Sequence, residues 1–199
     1  SNTEAEDPRY GIGGHEKTSS TAKIDIDQNH QRLIQEMNQL TVYLRETLDQ
    51  QGEGFEELLE RLEEKVEILA RTPSIRPTVG RVTSTFGYRK APFSGRKEFH
   101  EGYDIGASHG TPIVATADGV VSFSGRHGSL GKTISIDHGY GYETLYGHAS
   151  KIFKKKGESI KKGDVIALVG NSGRSTGPHV HYEVKLNGKN INPVDYFID

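Results

Sequence analysis

The chain has 199 residues, with 25 Lys and Arg against 27 Asp and Glu, nine His, 24 Gly and no Cys. Without cysteine there is no disulfide scaffold, thiolate-held zinc or thiol nucleophile, so a transition metal must be held by His, Asp or Glu. A net charge of −2 argues against general nucleic-acid binding, and no run approaches the roughly 18 apolar residues of a membrane span.

Charge and glycine divide the chain. Residues 1–75 carry 16 acids and 8 bases, residues 76–199 carry 11 acids and 17 bases, and 19 of the 24 glycines fall in the second part. Residues 1–22, opening SNTEAEDPRYGIGG, are polar and read as a disordered leader. No charged-then-apolar targeting segment opens the chain. Over 23–72 the pattern is helical. Leu33, Met37, Leu40, Leu44 and Leu48 form one stripe, and Phe55, Leu59, Leu62, Val66 and Leu69 form a heptad-like second. Gly52 and Gly54 between them predict two helices with a turn, each glycine costing a helix interior about 1 kcal/mol. The segment reads as a helical hairpin or as a coiled coil that joins copies or docks a partner. Pro73 and Pro77 mark a linker at 73–80.

From residue 81 to 199 the period becomes two. VTSTF, PIVATA, VVSFS, TISID, ETLYGH, VIALVG and HVHYEVK read as short strands separated by glycine turns. Spacing too short for crossover helices implies a mainly β domain, an antiparallel sandwich or barrel.

Histidine carries the chemistry. Seven of the nine lie between 100 and 181. His179 and His181, at i and i+2 of a strand, project from one face. His100 and Asp104 flank Gly102, which permits a bend that lets both converge. His148 ends a strand. Two histidines and a carboxylate are a common first shell for catalytic zinc, with a fourth position left for water. His109, His127 and His138 lack such a setting and read as surface or turn residues. Glu183 shares the face of His179 and His181 and has two readings, a supporting residue behind the ligands or, as the first choice, a solvent-exposed strand residue. The lysines at 154–156, 161 and 162 read as a solvated hairpin.

Three strings, FHEGYDIGASHGTPIVATADGVV at 99–121, TLYGHAS at 144–150 and KKGDVIALVGNSGRSTGPHVHYEV at 161–184, resemble the lysostaphin/LytM-type zinc metallopeptidases, peptidoglycan endopeptidases that cut stem or cross-bridge peptides of the bacterial wall. The resemblance covers about residues 76–198. It implies one Zn2+ per chain held by His100, Asp104 and His181, with His148 and His179 as the catalytic pair. Which of the pair is the base stays open. Gly106-Ala107-Ser108 and Ala149 depart from commoner family residues without touching the chemistry. The loops at 88–98, 125–131 and 171–178 are expected to shape the groove walls.

Rival readings are a degenerate, non-enzymatic activator of wall amidases or wall-binding module, a biotinyl/lipoyl-type carrier built on KKGESIKKGDVIALVG, and an envelope protein whose helices are the functional part. The resemblance further implies peptidoglycan as partner and an extracytoplasmic location, in the periplasm, at the outer face of the inner membrane, or secreted. An anchor upstream of this segment is compatible with that. The 27–70 helices would join copies or a partner protein.

Overall fold

The structure, a computed structural model, describes residues 18–48, 54–92 and 94–198. Most of the leader expected over 1–22 and the turn around Gly52 lie outside the described residues, although helix α1 (Thr18–Leu48) already covers the last five positions assigned to the leader. Helix α2 (Gly54–Arg71) carries Glu56 and Glu57 in its first turn and Arg71 in its last, charges that suit the helix dipole. Two compact units are present, residues 1–59 and 60–199, so the boundary falls inside α2. In α1, Leu33 and Leu40 of the stripe are more than half exposed.

The second unit contains thirteen strands among the described residues: β1 (Arg81–Ser84), β2 (Gly87–Lys90), β3 (Lys97–His100), β4 (Tyr103–Gly106), β5 (Pro112–Val114), β6 (Gly119–Arg126), β7 (Lys132–Gly139), β8 (Tyr142–Ala149), β9 (Lys151–Ile152), β10 (Ser159–Ile160), β11 (Val165–Leu168), β12 (His179–Leu186) and β13 (Lys189–Ile191). All pairings are antiparallel, as expected. One sheet runs β1-β4-β12-β8-β7-β6-β10 with β13 on β12, a second runs β5-β11-β9, and β2 and β3 form a hairpin. The core draws on both larger sheets: Ile105, Ile134, Ile136, Tyr146, Val180, Tyr182 and Val184 from the first, Ile113, Ile166 and Ala167 from the second. Each large apolar side chain buried this way contributes about 1.5–3 kcal/mol.

Alternation along the central strands separates core from chemistry. Val180, Tyr182 and Val184 of β12 are fully buried in the core, which sends His179, His181 and Glu183 to the opposite face. The register pairs His181 with Asp104 of β4 and with Gly147 of β8, placing all three on that face. Beneath it, Tyr182 Oη donates to Thr116 Oγ1, and Thr116 and Thr144 both bond Tyr146 Oη. Thr144 also bonds His138 Nε2, whose Nδ1–H donates to Asp118 O. His138, read as a surface or turn residue, is fully buried near the end of β7; its two hydrogen bonds make that burial tolerable, and burial pushes its pKa down.

The segment expected as a linker is bound along the second unit. Ser74 N donates to Thr116 O, Ile198 N to Ser74 O, and Val114 N to Pro77 O. Thr78 Oγ1 donates to Pro112 O, and half-buried Lys162 reaches Ser74 Oγ at 2.8 Å. Prolines at 73 and 77 stop a helix but do not prevent such pairing, because the neighbouring residues supply the donors and acceptors. The end of α2 joins in: Asp118 N donates to Ala70 O, and Arg71 Nη1 to His138 O at 3.2 Å.

Candidate metal centre and groove

His100, Asp104 and His181 each offer an atom to one point. Asp104 Oδ1 lies 2.8 Å from His181 Nδ1 and 3.2 Å from His100 Nε2, and the two imidazole nitrogens are 3.2 Å apart. All three residues are buried. Ligands about 2.0–2.1 Å from a tetrahedral zinc lie roughly 3.3 Å from one another, so this spacing fits a metal. The three form the metal-capable cluster found among the described residues.

The remaining ring nitrogens are committed. His100 Nδ1–H donates to Thr85 O at 2.8 Å, which leaves Nε2 as a lone pair. His181 Nε2 meets Glu183 Oε1 at 3.0 Å, and Glu183 Oε2 accepts from Asn190 Nδ2 at 2.9 Å. His181 is therefore turned to present Nδ1. Glu183 is buried, not solvent-exposed as its strand position suggested; the charge is sustained by His181 and Asn190, and burial opposing it is outweighed, so its carboxyl is held below the usual range. A carboxylate behind a ligating histidine is a common orienting device.

Burial also opposes ionisation of Asp104, yet hydrogen bonds and charge from His100 and His181 outweigh it and hold its carboxyl far below the ordinary range. Burial likewise disfavours His181 as a cation, but Asp104 and Glu183 on its two nitrogens push it up to about 9. Gly102 explains the tightness by close approach, not only by a bend. A Cβ there would stand 2.5 Å from His181 Cε1 and 2.8 Å from Tyr182 O.

His148 and His179 stand beside the cluster, their rings 4.6 Å apart. Strict alternation would send His148 into the core with Tyr146. Instead Ile134 pairs Tyr146 while Lys132 pairs Ala149, so β8 carries one extra residue. This is a β-bulge, with His148 at φ +60°, and it turns the ring to the chemical face while returning Ala149 to the core. Left-handed backbone in a non-glycine residue is uncommon and concentrates at functional sites. His148 Nδ1–H donates to Ser172 O at 2.7 Å and His179 Nδ1–H to Gly177 O at 2.8 Å. His179 Nε2 lies 3.9 Å from Asp104 Oδ1. Burial and the neighbouring histidines push the His148 pKa down, which keeps its Nε2 a proton acceptor at neutral pH.

A groove of about 560 Å³ runs past these residues. Arg89 to Pro92, Ser129 with Leu130, and Arg174 to Pro178 line it, one contribution from each segment expected as a wall. The first of these is the β2–β3 hairpin rather than a loop. Arg89, from that hairpin, was not singled out from the sequence, where FGYRK shows no pattern pointing at Asp104; it donates to Asp104 Oδ2 at 3.1 Å.

Residues 98–193 match the family model for peptidase family M23. A solved catalytic domain of the prophage-encoded M23 protein EnpA from Enterococcus faecalis, in mutant form, is 38% identical with TM-score 0.52, the match covering 61% of this chain and 97% of that one. The chain belongs to peptidase family M23. Among curated relatives, the DD-carboxypeptidase/endopeptidase Mpg of Neisseria meningitidis serogroup B is 47% identical over 122 residues, 61% of this chain and 28% of that protein. The peptidoglycan DD-endopeptidase ShyA of Vibrio cholerae is 42% identical over 113 residues, 56% of this chain and 26% of that protein. A structure described as a zinc-containing peptidase from Vibrio cholerae is 38% identical with TM-score 0.55, over 62% of this chain and 38% of that one. The chain thus spans well under half the length of these curated relatives.

Proposed function

We propose that the chain is a zinc-dependent peptidoglycan hydrolase, an endopeptidase that cuts stem or cross-bridge peptides outside the cytoplasm. The observation that carries this reading is the convergence of two sets of side chains on one groove: three metal-capable donors, and two imidazoles anchored through Nδ1 with Nε2 left for chemistry. The relatives named as peptidoglycan DD-endopeptidase and zinc-containing peptidase support the substrate and the metal. A complete site counts against a non-enzymatic activator. A carrier would have no use for five converging groups. No described helix is long and apolar enough to cross a membrane.

His100 through Nε2, Asp104 through Oδ1 and His181 through Nδ1 would hold the metal. Zinc, when bound, supplies a Lewis acid that polarises a carbonyl and acidifies water. His148 is suited to the base: burial keeps it neutral, the Ser172 carbonyl fixes its tautomer, and Nε2 accepts the proton that water loses as its oxygen bonds the peptide carbon. That proton then goes to the amide nitrogen as the C–N bond breaks. His179, held through Nδ1–H by Gly177 O and by Ser175 Oγ at 3.1 Å, places a second ring against the same carbonyl, where as an imidazolium it would donate Nε2–H to the oxygen on which charge develops.

The test is digestion of purified sacculi by the full chain, with fragments identified by mass spectrometry. Wall fragments with newly exposed peptide termini, read after the glycan is digested by a muramidase, are expected with zinc, none after chelation, and recovery on re-adding zinc. A zinc-loaded chain that exposes no new peptide termini in any wall chemotype would refute the reading.

A further inference from the structure

The outer oxygen of Asp104 is occupied by a residue of the groove wall. Register pairs Arg89 of β2 with Glu98 of β3, so both side chains share a face of the hairpin. Arg89 Nε donates to Glu98 Oε1 at 3.0 Å, while Nη1 donates to Ser84 Oγ at 2.6 Å and to Asp104 Oδ2 at 3.1 Å. The two oxygens of Asp104 therefore face different partners. Oδ1 meets His100 and His181, and Oδ2 meets a cation that cannot lose its charge. A carboxylate can engage a metal through one oxygen or through both. The choice matters here, because an oxygen that swings in from Oδ2 competes for the position a catalytic zinc site keeps open.

We propose that Arg89 is a positioning residue that holds Asp104 to a single ligating oxygen and so keeps that position available to water and substrate. The guanidinium is suited to this: a charge-assisted bond to Oδ2 is stronger than a neutral one, and the Glu98 and Ser84 contacts fix its plane. Its side chain is 26% exposed against 9% for Asp104, so the bond is formed where the hairpin covers the carboxylate. The inference rests on the metal reading of the site given above.

The test uses Co2+ in the full chain, whose visible absorption is intense in four-coordinate sites and weakens as coordination number rises, together with the affinity of acetohydroxamate for the loaded site. Arg89→Met is expected to retain stoichiometric Co2+, to lose band intensity, and to bind acetohydroxamate about tenfold or more weakly, at the low end of what loss of a residue behind a ligand costs. Glu98→Gln, which breaks the hairpin ion pair but leaves Arg89 on Asp104, should keep the parental band. Arg89→Lys, with one nitrogen in place of the fork, should fall between parent and Arg89→Met; it carries the test alone if Arg89→Met does not fold, a parental band then counting against the proposal. Parental absorption and probe affinity in folded Arg89→Met overturn it, and so does a folded Arg89→Met that holds no Co2+. A parent chain that takes up no Co2+ contradicts the metal reading itself, an outcome distinct from either.

Discussion

Asp104 and His181 hold each other in opposite charge states: the carboxylate and Glu183 together keep a proton on an imidazole whose burial opposes it. A metal taken up at Nδ1, as proposed, would have to displace that proton. Apparent zinc affinity should therefore rise about tenfold per pH unit from pH 6.5 toward 9 and level off above it, measured by competition with a chromophoric chelator; a flat profile across that window would contradict the assignment. The same shift acts on the metal-free fold. The folded value stands above the ordinary 6.5, so the stabilisation is complete below pH 6.5 and is lost as pH rises through about 9. The thermal midpoint of the metal-free chain should fall across that range, and should not in Glu183→Gln to the same extent. Asp104→Ala, which removes a donor from a three-donor site, should lose most of the metal by elemental analysis.

At the scale of elements, the position of His148 depends on a bulge and on the loop that receives it. Ser172 is the joint. Its carbonyl accepts from His148, its Oγ donates to Ala149 O and accepts from Lys132 N. Gly131, at φ +66°, lies so close that a Cβ would collide with Ser172. Gly131→Ala should cost about 1–3 kcal/mol of stability and lower peptide cleavage at least about tenfold while zinc content stays at one per chain; a variant with parental rate would show that Ser172 does not position His148. The sequence made β12 legible because three core residues alternate with His179, His181 and Glu183, and period two is a backbone property. The same alternation hid the bulge, since an inserted residue leaves no compositional mark when glycine and histidine supply it. The strands β2, β3 and β4 were hidden differently. They are four residues each, and Arg89, Glu98, His100 and Asp104 are there for one another across the site rather than for a hydrophobic face. For Glu183 the solvated reading ranked first because a charged residue on a strand usually faces water; its bond to His181, two residues away on the same face, and to Asn190 of β13 reverses that order.

For the whole molecule, the composition break near residue 75 marks a change of secondary structure but not the edge of the folded unit. The last turn of α2 and the 73–80 segment bond the second unit at Asp118, His138, Thr116 and Pro112. A fragment of 54–199 should therefore unfold at higher temperature than one of 76–199, with both binding zinc; equal midpoints would mean that α2 and the 73–80 segment contribute nothing to stability. In the proposed mechanism, metal holding and proton handling belong to separate side chains beside one groove. Zinc stoichiometry and wall-peptide cleavage measured on the same preparation of His148→Ala separate the two. One zinc per chain with cleavage reduced by roughly 10²–10⁴ is the expected result; cleavage at the parental rate, or loss of the metal, would contradict it.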